Sequence, residues 1–110
     1  MANNDLINIG GYELKISKAI ENYASKRGLE YIYLDDESPI WFVDGSTKRI
    51  QLSFYYSEGG LKLCLIPDYI PLKEHYILES KIKEIRFIDL ISGNLCDILH
   101  QELDKIWNSF

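Results

Sequence analysis

Cys96 and His100, four residues apart, come closer to catalytic spacing than anything else in this 110-residue chain. Positions i and i+4 of a helix share a face. A thiol and an imidazole placed there could act as nucleophile and base, or supply two ligands to a metal. A metal needs further ligands, and the other histidine, His75, is distant in sequence. No CxxC or HExxH pattern is present. Packing is the expected role of both residues, and no metal or cofactor is expected.

The second cluster is Asp35-Asp36-Glu37. Acid–base catalysis needs carboxylates that converge on a substrate in a protected cleft. A calcium loop needs acids in alternating order ending on a glycine. Three adjacent acids in a turn fan out into water instead. Gly10-Gly11 and Gly59-Gly60 lack the spacing of a phosphate loop, and no serine stands in a G-x-S-x-G elbow. A small enzyme is therefore the least favoured reading.

Three tyrosines, Tyr31, Tyr33 and Tyr55, alternate with apolar residues in strand-like segments. Alternation assigns them to the sheet face opposite the main apolar set. Tyrosine gives a large, rigid contact area at low entropic cost. Together with the turn acids Asp35, Asp36, Glu37, Asp44 and Glu58, they form the candidate partner-binding set.

The elements that must position these residues centre on 39–71. Ile50, Leu52, Phe54 and Tyr56 alternate with Gln51, Ser53 and Tyr55, and Leu61, Leu63 and Leu65 alternate with Lys62, Cys64 and Ile66. Each pattern is that of a half-buried strand. Ser57-Glu58-Gly59-Gly60 joins the two as a hairpin. The apolar run 40–43 ends at the turn dipeptide Asp44-Gly45 and makes a third strand, which Pro39 opens. Residues 29–34 add a fourth, and Pro67 and Pro71 are expected to close the sheet.

Residues 1–11 read as frayed, broken at Gly10-Gly11, with Leu6, Ile7 and Ile9 suited to a short strand. Residues 12–27 carry Ile16, Ala19, Ile20 and Tyr23 at helical spacing, and Gly28 stops that helix. Leu78, Ile82, Ile85 and Ile88 favour a helix over 72–91, although 82–88 also has strand character. Asn94 caps a last helix whose apolar arc, from Leu95 to Phe110, is unusually wide.

The fold class that follows is α+β: a single domain over 1–110, with a three- to four-stranded antiparallel meander and an N-terminal helix. C-terminal helices pack on the Ile50/Leu52/Phe54 face. At 46% hydrophobic residues the chain can build a core. It contains no run long and apolar enough to span a membrane and no leader pattern, so a cytoplasmic location is expected. Cys64 and Cys96 are expected as reduced, buried thiols.

Net charge is −5. The excess lies in 29–71, where seven acids face three bases. That balance disfavours nucleic acid and favours a basic protein partner. The expected function is a small acidic protein-binding module. Its concrete form is an inhibitor or immunity-type protein that occludes the active surface of a basic partner such as a toxin. The alternative is a chaperone or regulatory domain that forms a homodimer through the wide arc of the last helix.

Overall fold

The structure, a computed structural model, describes residues 2–35, 38–69, 76–77 and 79–110, with side chains for 11–35, 38–69 and 79–110. Its elements run α1 (Ala2–Lys26), β1 (Glu30–Asp35), β2 (Pro39–Asp44), β3 (Lys48–Ser57), β4 (Gly60–Tyr69), β5 (Tyr76–Ile77), a 3-10 turn (Glu79–Lys81), β6 (Lys83–Arg86), α2 (Phe87–Ser92) and α3 (Leu95–Trp107). The α+β architecture is as expected. Among the described residues the sheet has six strands in the order β1-β2-β3-β4-β5, with β6 also on β4, so it is larger than the three or four expected. Every pairing is antiparallel.

The β3–β4 hairpin forms as read, with Ser57 opposite Gly60, whose positive φ of 97° suits glycine. The register stacks Ile50, Leu52 and Phe54 against Pro67, Leu65 and Leu63. These residues face the helices, and all belong to one core with Trp41, Val43, Ile16, Ile20, Leu90, Leu99 and Leu103, except Pro67, which is itself fully buried. Gly28, at φ 67°, ends α1: Leu29 N–H donates to Ala24 C=O at 2.8 Å and Gly28 N–H to Ser25 C=O at 3.3 Å. That pair of bonds satisfies the last carbonyls of the helix.

Three expectations are corrected here. First, α1 starts at Ala2 and runs through Gly10-Gly11, so Leu6, Ile7 and Ile9 are helical rather than in an added strand. Two glycines weaken a helix by about 1 kcal/mol each but do not forbid it. Second, Pro67 lies inside β4, not at the end of the sheet. On the far side of β4, β6 pairs as far as Leu65 and β5 begins at Asp68. Proline, which has no N–H to offer, occupies the gap between them. Pro71 lies outside the described residues.

Third, the helix expected over 72–91 is β5, a 3-10 turn, β6 and the short α2. Residues 72–75 and Leu78 lie outside the described residues. The physical reason is the free edge of β4. Lys62–Leu65 would otherwise leave its outward N–H and C=O groups unpaired, and Lys83–Arg86 pairs with it while burying Ile85 beside Leu63. Helix formation resumes only at Phe87, whose ring packs edge-on to Phe54 and Tyr12.

Asn94 caps α3 as its sequence suggests, accepting from Asp97 N–H at 3.1 Å. The wide arc of α3 is covered within the protein. Leu99, Leu103 and Ile106 are buried, while Leu95, Ile98, Trp107 and Phe110 pack partly against the same core. At the far end, Lys48 Nζ donates to Trp107 C=O at 2.7 Å and lies over the Trp107 ring. This holds the last turn of α3 against the start of β3.

Candidate protein-binding face

Residues that pair across antiparallel strands point to the same side of the sheet. Pairing therefore maps the outer face row by row. The first row is Glu30, Asp44, Arg49 and Asp68; the second is Ile32, Phe42, Gln51 and Ile66. The third is Leu34, Ile40, Ser53, Cys64 and Glu84; the fourth is Tyr55, Lys62 and Arg86. Ile32, Leu34, Ile40, Phe42 and Ile66 make an apolar centre. None of the five belongs to the hydrophobic core or packs against it. Leu34 is 47% exposed.

This phase corrects the placement of two tyrosines. Tyr31 pairs with Val43 and Tyr33 with Trp41, both fully buried residues, so Tyr31 and Tyr33 face the helices. The Tyr33 hydroxyl donates to Glu13 of α1 at 2.7 Å, and its ring lies 5.9 Å from that of Trp41. Trp41 Nε1–H in turn donates to Ser17 Oγ at 2.8 Å. Ser17→Ala would strand this buried donor and is expected to cost about 1–3 kcal/mol in denaturant titrations.

The same environment shifts the phenols. Glu13's carboxylate, which accepts the hydroxyl proton, with burial as the smaller cause, pushes Tyr33 up to about 12. Burial beside Asp104 pushes Tyr23 up to about 12 against the opposing charge of Arg27. A phenol raised in the folded state stabilises the fold fully below its unfolded value near 10. That contribution is lost as pH rises through about 12. Stability should therefore fall between those values, and Tyr33→Phe should make the fall shallower in alkaline unfolding curves.

Tyr55 does lie on the outer face, where its hydroxyl donates to Glu84. Asp44 is there too, but its carboxylate is occupied: Arg49 Nη2 lies 3.2 Å away, with the guanidinium 5.1 Å from the Phe42 ring centre. Asp35 is exposed at the end of β1, and Glu58 at the β3–β4 turn. Asp36 and Glu37 lie outside the described residues. Glu30 and Asp44 stand at one end of the outer face and Glu58 at the turn beyond the other, while Asp35, opposite the buried Pro39, is in phase with the helix side at the sheet's edge; the described acids do not form one cluster. Each described base of the outer face pairs within the protein: Arg49 with Asp44, Lys62 with Glu84, and Arg86 with Asp89. Glu30, Asp35 and Glu58 make no ion pair among the described residues. The charge left over is acidic.

No family model matches the chain, and no curated protein or solved structure matches it. Function must be argued from the chemistry of the face and of the other candidate sites.

At the Cys96–His100 pair, Sγ and Nε2 are 3.7 Å apart, but Nε2 also lies 2.9 Å from Ala19 C=O. A carbonyl only accepts, so Nε2 carries a proton there and cannot take one from the thiol. Cys96 is exposed, contrary to the expectation of burial, and Cys64 is half-buried, which raises its thiol pKa. Among the described residues no three His, Cys, Asp or Glu side chains converge as metal ligands would. No described helix is long and apolar enough to cross a membrane.

The apolar centre escaped the sequence reading, although a signal for it was present. Ile40-Trp41-Phe42-Val43 is apolar without interruption. Whichever two of the four face the helices, the other two must face outward.

Proposed function

We propose that the protein is a binding module that docks a basic partner protein on the outer face of its sheet and acts by occluding that partner's surface. An inhibitor of the immunity type works in this way. The observation that carries the reading is the apolar centre of Ile32, Leu34, Ile40, Phe42 and Ile66, which no core residue covers. Leu34 is exposed and the other four are half-buried, with Ile66 set apart from the rest by Gln51; apolar surface of this kind outside a domain's core marks interaction sites. Acids that make no ion pair among the described residues, Glu30 and Glu58 at its two ends and Asp35 at its edge, favour a cationic counterpart. They would also speed encounter by electrostatic steering.

The test compares two forms of the protein. Asp35, Asp36 and Glu37 replaced together by lysine should leave the fold intact: Asp35 is exposed and makes no ion pair among the described residues, and exposed charges contribute little to stability. Association with a basic partner protein, isolated by affinity capture on the unaltered protein, should slow, most at low ionic strength. An unchanged association rate at low salt removes the acidic turn from the interface.

A further inference from the structure

We propose that β1 takes an extended, cationic segment of the partner as an additional antiparallel strand. This deepens the reading above and rests on it. β1 is the terminal strand of the sheet and pairs with β2 alone, without a bulge from Glu30 opposite Asp44 to Asp35 opposite Pro39. In an antiparallel strand, alternate residues turn their N–H and C=O away from the paired neighbour. Among the described residues, no other main-chain group bonds to those of β1. The edge is a row of open donors and acceptors.

Proteins blunt such edges with proline, lysine or a bulge. The β1 sequence Glu30-Tyr31-Ile32-Tyr33-Leu34-Asp35 has none of them. Its only charges are the acids at its two ends, Glu30 and Asp35, both exposed. A second copy pairing there would bring four such acids to one seam and be repelled. A segment with basic residues at its ends would be attracted to both. Ile32 and Leu34 belong to the outer apolar centre, so an added strand would lay its own apolar residues beside them and continue that face. From below, α1 holds β1 through the Glu13–Tyr33 hydrogen bond, so the edge is fixed before the partner arrives. Main-chain bonds then give affinity, and the alternating side chains give selectivity.

The probe is a short synthetic peptide of alternating valine and threonine with lysines at both ends. Its twin carries N-methyl groups on the alternate amides that would face β1. Both are titrated into the intact protein at low salt, and amide hydrogen exchange is followed residue by residue. The expected result is slowed exchange of alternate amides in β1 and binding of the twin at least about tenfold weaker, since several hydrogen bonds are lost together. Equal affinity of the two peptides overturns the proposal, and so does absence of binding. Protection confined to Phe42 and Ile66 overturns the edge but leaves the face reading standing. Protection of β1 that grows with protein concentration, without peptide, assigns the edge to a second copy and also overturns it. If β1 is protected while partner capture survives Phe42→Asp, the edge stands and the face reading fails.

Discussion

Phe54→Ala is expected to cost about 3–5 kcal/mol of unfolding free energy, and Phe42→Ala only about 1 kcal/mol. The two phenylalanines lie on adjacent strands but on opposite sides of the sheet. Phe54 is 9% exposed, and its ring meets Trp41 edge-on at 5.9 Å and Phe87 at 5.6 Å. Phe87 extends the contact to Tyr12 at 5.6 Å. Removing the Phe54 ring opens a cavity between two elements that cannot collapse together, because β4 and β6 hold Phe87 at its entry to α2. Phe42 loses only a half-buried contact with the Arg49 guanidinium. Urea denaturation of both variants settles the comparison. A cost below 1 kcal/mol for Phe54→Ala would mean that the faces of the sheet are reversed.

Phe42→Asp is expected to weaken partner binding by about 30-fold to about 1,000-fold, the range of about 2–4 kcal/mol typical of a central aromatic anchor. The substitution removes the largest apolar side chain of the outer centre and sets a carboxylate beside Ile32, with Gln51 on its other side. Stability should change less than for a core substitution, since Phe42 is half-buried and lies outside the hydrophobic core. Leu14→Asp is the control. Leu14 is 66% exposed on α1, on the other side of the sheet from Phe42, and its loss should leave binding unchanged. Affinity of the purified partner for the three proteins is the measurement. Equal weakening by both substitutions would point to the helix layer rather than the sheet.

The fold was legible wherever one period dominated. Strict alternation over Ile50–Phe54 and Leu61–Leu65, with Glu58-Gly59-Gly60 between, specifies a hairpin and its buried side, because a slip of one residue would expose every leucine. Residues 82–88 were ambiguous because Ile82, Ile85 and Ile88 satisfy a helical spacing while β6 needs only four residues. What decides is the unpaired edge of β4, a feature of the tertiary structure. Tyr31 and Tyr33 were assigned to the wrong side for a related reason. The side chains of β1 are apolar or aromatic at every position from Tyr31 to Leu34, so alternation cannot choose between its faces. The pairing of Asp35 with Pro39 chooses, and it depends on the length of the turn. Asp35, Asp44 and Glu58 do fall at strand ends and turns, but their arrangement was not legible. Asp44 has its cation at the next strand position, Arg49, and Glu58 stands at the other end of the sheet from it.

Tyr23 bonds to Asp104 across 81 positions of sequence, and Ala19 bonds to His100 across the same interval. The two helices that roof the inner face are thus the first and last elements of the chain. During synthesis, α1 and the hairpins emerge together and can meet through local contacts. Leu63 and Leu65 lie on β4, which α2 and α3 both touch, so their cover is complete only once those last helices have been made. Non-local closure is slow, and exposed apolar strands are the species that aggregate. The nascent protein therefore passes through a stage in which the inner side of its sheet is open, and that side closes as the last helices dock.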